Sequence, residues 1–355
     1  MTIDMAKLWD DYQIANLEQE LDKLFPENAF RLEDMFAKIL SGDIFGGITD
    51  AIQSIFGSLT AELTSLRNVF VLILVLGISA TLISHFIEIF DNHQIADIGF
   101  YFNYLCMLVI LMKCFISSAA TAAAALQKIV EFIQVFIPAY FLSVGVATGT
   151  VTAAAGYELV ILIIYMVEHV LLTLILPLIN SYVLLAIING MWSEEKLGLL
   201  MEGMEKAIRF LLKAAIGLVT GISVFQSMIT PAIDSVKATA LQKTLSAIPG
   251  IGNAAEGVVE VVLGSAVIIK NSIGLVLLLI LLAVSAVPLL KIFLTACLLK
   301  AAAAFLGLVS DKRITACTDK VGSGSQLLFQ TVGTSVLLFM ITISIAAYTT
   351  NKAIG

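Results

Sequence analysis

Residues 157–192 read YELVILIIYMVEHVLLTLILPLINSYVLLAIINGMW. No Lys or Arg interrupts this run, and Pro177 breaks it. At 1.5 Å per residue, a helix needs about 20 apolar residues to cross a hydrocarbon core of about 30 Å. The stretch is long enough to do so, and it decides the class: an all-α protein of membrane-spanning helices.

The rest of the chain agrees. Of 355 residues, 59% are hydrophobic and 13% charged, with a mean hydropathy of +1.00. Soluble domains run about 45–50% apolar and about 25% charged, so an ordinary soluble enzyme, a disordered chain and a nucleic-acid binder are excluded. The net charge of −7 sits entirely in residues 1–67, which carry 12 acidic and 5 basic residues. Residues 68–355 hold 15 of each sign. This divides the chain into an acidic, helical, water-facing region (1–67) and a polytopic membrane domain (68–355). No basic tract offers a surface to nucleic acid or anionic headgroups.

Within the first part, apolar spacing predicts helices over 6–24, 29–40 and 48–66, the first stopped by Pro26. The third either packs on the other two or lies on the membrane. Met1 to Leu8 lacks the basic and apolar regions of a signal peptide. Spans are expected at 69–90, 98–124, 157–192, 207–232, 273–305 and 326–349, with a polar loop at 309–325. Cys106, Cys114 and Cys297 lie in apolar stretches and Cys317 in that loop, so four unpaired thiols are expected.

The layout repeats. Pro138 to Pro177 and Pro249 to Pro288 are both 39 residues, and an offset of 111 carries the span 98–124 onto 209–235. Two internal repeats are expected at about 98–208 and 209–319, followed by a final span at 326–349, a construction common in transporter folds. The four prolines are the candidate helix breaks. Four basic residues, Lys196, Lys206, Arg209 and Lys213, fall in 191–213, and four more, Lys300, Lys312, Arg313 and Lys320, in 300–325. The positive-inside rule puts both stretches in the cytoplasm. An even number of spans then separates them, which makes 250–271 re-entrant or interfacial, and its counterpart 139–155 likewise. The result is six full spans, two re-entrant elements and outward termini; seven or eight full spans is the competing count.

Enzymatic, cofactor and ATP-binding motifs are absent from the sequence. His85 and Glu88 are three apart, a spacing open to a metal, but with no second pair an interfacial ion pair is the simpler reading. The residues that stand out are the ionisable ones inside apolar runs: Lys113, Glu168, His169 and Lys291. A charge at the bilayer centre costs ~2.5–3.5 kcal/mol on insertion scales, so such groups usually face a cavity or a partner. A Glu168–Lys113 or Glu168–Lys291 pair follows from their placement near Pro177 and Pro288; snorkelling of the two lysines to the headgroups competes with it. The Gly-, Ala- and Thr-rich run 143–156 lets helices approach closely, within a chain or between copies in a homo-oligomer, or forms a substrate-lining broken helix.

Two stretches, AIPGIGN at 247–253 and LGSAVIIKNSIG at 263–274, resemble the stage III sporulation protein AE family. The likeness in layout extends over most of the chain. Members begin with a cleavable signal sequence, which this chain lacks, so a truncated or processed form is expected. The resemblance implies a non-enzymatic membrane subunit of a secretion-like channel between mother cell and forespore, required for forespore development. It further implies residence in the mother-cell membrane around the forespore. Its partners would be other membrane subunits of that complex and a forespore-side protein. A self-contained secondary transporter for a small solute is the rival reading.

Overall fold

In the computed structural model the described residues are 66–79, 81–82, 93–148, 151–191, 196–245 and 252–352. The three helices expected before residue 66, the His85–Glu88 spacing and Pro249 lie outside them.

Long apolar stretches with few polar breaks form long helices. These are α1 (Leu66–Ser79), α2 (His93–Thr148), α3 (Val151–Val170), α4 (Leu176–Gly190), α5 (Gly198–Leu245), α6 (Gly252–Val309) and α7 (Lys312–Lys352). A five-residue π-helix, Leu171–Ile175, joins α3 to α4. No strand occurs among the described residues. Five segments are long and apolar enough to cross a membrane: Tyr101–Val135, Ile161–Gly190, Gly198–Phe225, Ile273–Val309 and Lys312–Ser344. They correspond to five of the six spans expected from sequence. The sixth is described only from its start to residue 82, where α1 packs Phe70 edge-on against Phe305 of α6, with ring centroids 6.1 Å apart.

The bundle packs around an apolar core that also holds the buried polar groups, and its outer surface is apolar, as lipid requires. Buried polar residues include Asn103, Glu168, Asn189, Ser285, Thr331 and Ser335. Phe102, Val109, Leu162, Phe210 and Phe225 are exposed. At the centre runs α7, which packs against α2, α3, α4, α5 and α6.

Three expectations change. The polar loop at 309–325 is a helix: only Ser310 and Asp311 separate α6 from α7. The Gly-Ser-Gly-Ser run at 322–325 reads as a loop signal, yet its glycines admit close neighbours. Gly322 lies against Leu299 and Lys300, Gly324 against Val183 and Phe115. Cys317 accordingly is buried, and all four cysteines are free thiols. Next, of the stretch 139–155 the described residues 139–148 continue α2 and 151–155 open α3, and of 250–271 the described residues 252–271 open α6, so these parts belong to longer helices. Helical hydrogen bonding carries through their few polar positions. Finally, α2 runs on through Pro138 and α6 through Pro288, where the missing N–H leaves the Val284 carbonyl without its helical donor. Among the described candidate prolines, only Pro177 adjoins a change of helix character, from π to α.

Asp311 starts α7. Its Oδ1 accepts a hydrogen bond from the Arg313 N–H at 2.8 Å, and its carbonyl accepts from Thr315 N–H at 3.1 Å. Asp311→Ala is therefore expected to cost about 1 kcal/mol, read as a lowered unfolding temperature of the purified protein; an unchanged temperature would remove Asp311 as the cap.

Candidate functional site

The two basic stretches come together. The α4–α5 and α6–α7 connections meet at one end of the bundle around a cleft of about 590 Å³, lined in part by Asn189, Gly190, Glu202, Arg313 and Lys320. Asn189 Oδ1 holds the first connection by accepting from Leu197 N–H at 2.9 Å. This is the same-side placement the positive-inside argument requires.

A charged layer lies just inside that end. Glu205 accepts two hydrogen bonds from Arg209, at 3.2 and 2.9 Å, and one from the Tyr182 hydroxyl at 3.3 Å. Arg209 Nη1 also donates to Gln330 Oε1 at 2.7 Å, tying α5 to α7. Lys300 Nζ donates to Asp319 Oδ1 and to Ser323 Oγ, both at 2.7 Å, tying α6 to α7. The charged groups are only partly buried, so the layer fixes the register of four helices more than it adds stability. An Arg209→Leu and Gln330→Leu double-mutant cycle is expected to show coupling of about 1.5 kcal/mol, in the range for a hydrogen bond to a charged group. Additive effects would show that the contact does not form.

About 20 Å from this layer along the bundle lies Glu168. Counting 1.5 Å per residue, it is about 21 Å from Tyr182, and Ser335 is about 16 Å from Gly324, which packs on Val183. Glu168 is 0% exposed, and neither carboxylate oxygen has a hydrogen-bond partner. Its polar neighbour is the Ser335 hydroxyl of α7, which does not meet it at hydrogen-bond geometry and has no other partner. Thr220 and Ser223 of α5, about 22 and 27 Å from Glu205 by the same count, also carry unpartnered buried hydroxyls. Helix α5 packs against both α3 and α7.

The structure separates the residues the sequence grouped. Lys113 is exposed on α2. Two residues on, Phe115 packs at Gly324, whereas Phe132 meets Phe339 with ring centroids 5.7 Å apart. Lys113 therefore belongs to the level of the charged layer, not to that of Glu168. Lys291 is half-buried on α6, which packs on α2 and α7. Neither lysine pairs with Glu168, so the expected ion pairs do not form. His169 and Pro177 are both exposed. Among the described residues no group of three metal-ligating side chains occurs.

Sequence reading missed Arg209, Glu205 and Gln330 as a set, and also the hydroxyls of α7. One signal was present: within a span, Thr331 and Ser335 are four apart and Ser335 and Thr342 seven apart, a single helix face. All three are buried.

Against known proteins, the family model described as Stage III sporulation protein AE matches residues 30–350. The curated Stage III sporulation protein AE of Bacillus subtilis (strain 168) is 19% identical over 345 residues, covering 97% of this chain and 84% of the relative. No solved structure matches the chain.

Proposed function

The chain belongs to the stage III sporulation protein AE family, and from that premise we propose that it is a membrane subunit of a channel joining mother cell and forespore. Its role in sporulation follows from membership. The family is not one of known enzymes, and the chain is a multi-span membrane protein.

In this reading the polytopic domain sits in the mother-cell membrane around the forespore. Residues 1–67 lie on the extracytoplasmic side, where they dock a forespore-side partner. The observation that carries the reading is the extent of the family match, which runs through the entire set of apolar helices rather than one motif. Support also comes from the helix ends: a basic, clefted face at one end of the bundle offers a cytoplasmic docking surface. The second reading, a self-contained secondary transporter, rests on a single feature, the unpaired intramembrane carboxyl of Glu168.

Affinity purification from gently solubilised membranes of sporulating cells separates the two. A channel subunit is expected to bring down other membrane proteins made only during sporulation. Recovery of this chain alone, together with solute uptake by the isolated protein in liposomes, would favour the transporter.

A further inference from the structure

We infer that Glu168, with the hydroxyl of Ser335 beside it, forms an intramembrane binding site for a small monovalent cation, either Na⁺ or a proton. The inference goes beyond the sporulation reading and does not depend on it.

The argument begins with an imbalance. A carboxylate fully removed from water is too costly to persist without a neutralising partner. Structural glutamates in membranes meet this need with a lysine, an arginine or hydrogen-bond donors. Glu168 has none of these: both oxygens lack a hydrogen-bond partner.

The helices packed against α3 are α2, α5 and α7. On α2 the charged groups near this level are Lys128, which is exposed, and Glu131, which accepts from Gln127 at 3.2 Å. On α5 and α7 the nearest charged groups with described side chains are Lys213 and Lys320, each about two turns or more away along its helix. His169, next in α3, is exposed. None of them forms an ion pair or hydrogen bond with Glu168.

The polar neighbour of the carboxyl is instead an oxygen, the Ser335 hydroxyl of α7. That hydroxyl has no partner of its own, and two more unpartnered buried hydroxyls, Thr220 and Ser223, lie on α5, which packs against α3. One such group could be incidental. A fully buried carboxyl beside an unpartnered hydroxyl offers hard oxygen donors, which suit a small hard cation and not a soft metal. An unpaired group of this kind calls for a specific explanation. The π-helix at Leu171–Ile175 begins three residues beyond Glu168. Such single-turn irregularities are frequent at functional sites.

The test uses the full chain purified into lipid nanodiscs, probed with radioactive ²²Na⁺ and, in parallel, by infrared spectroscopy for the carbonyl stretch of a protonated carboxyl. Saturable Na⁺ binding that Glu168→Gln abolishes and Ser335→Ala weakens several-fold assigns the site to Na⁺. Absence of Na⁺ binding, with a protonated-carboxyl band that disappears in Glu168→Gln and shifts in Ser335→Ala, assigns it to a proton. If the wild-type protein shows neither signal, the inference fails. It fails equally if a signal is present and survives Glu168→Gln. Should that variant not fold, Ser335→Ala decides alone: an unmoved Na⁺ affinity and an unmoved band overturn the site.

Discussion

Replacing Glu168 with Met makes the protein more stable and stops it working. The two effects have opposite signs, and that opposition is the expected result. Glu168 is buried completely, and its carboxyl gains no hydrogen bond in return. An apolar side chain of similar length removes the unmet polar demand, for an expected gain of about 1–3 kcal/mol. Ordinary core substitutions behave otherwise, most of them destabilising. A group retained at a cost in stability is best accounted for by what it does. Heat-resistant spores from cells carrying only Glu168→Met are therefore expected to fall at least tenfold, with the protein present in membranes at wild-type level or above. Thermal unfolding in detergent reads the first effect and plating after heating reads the second. Wild-type spore counts from the stabilised variant would show that the carboxyl is dispensable.

Gly324→Leu is expected to have the larger effect on folding. Helix α7 touches five of the other helices, and at residue 324 it lies directly against Val183 of α4. A Cβ placed there runs into Cγ2 of Val183 and stands 3.3 Å from Cε2 of Phe115. Val183 is β-branched and buried, so it has little freedom to turn aside. Leucine adds three further carbons to a space that will not take the first. A cost of about 3 kcal/mol follows from overpacking of this kind, and in a bundle organised around one helix it would appear as lost yield of monodisperse protein. Gly203 supplies the control, because nothing lies within 4 Å of a Cβ added there. Gly203→Leu is expected to fall within about 0.5 kcal/mol of wild type. Equal behaviour of the two variants would mean that α4 and α7 do not approach as described.

The difference between these two glycines also shows what a sequence discloses. Hydropathy located five spans, because crossing lipid imposes length and composition directly. Charge placed two connections on one side, because cationic residues near helix ends follow a rule of orientation. The start of α7 was misread for a physical reason. Gly and Ser at 322–325 are loop-formers in water, but between helices in a membrane they serve as points of close approach. Which meaning applies depends on Val183 and Leu299, distant residues that no local window contains.

The same holds for Glu168. Its burial was legible, since a lone acid in a long apolar run has few other places to go. Its lack of a cation was not, because that depends on the depth at which Lys113 and Lys291 sit on other helices. Proline was over-read for a related reason. The helix ladder of α2 continues through Pro138 and that of α6 through Pro288 despite one missing N–H at each.

The central claim is that this membrane bundle acts in spore formation as part of a channel. Its most direct test is a null allele in the organism that makes the protein, scored by heat-resistant spores per cell. The account predicts normal vegetative growth and a spore count lower by several orders of magnitude, restored by the wild-type gene in trans. Sporulation at the wild-type level in the null strain would contradict it.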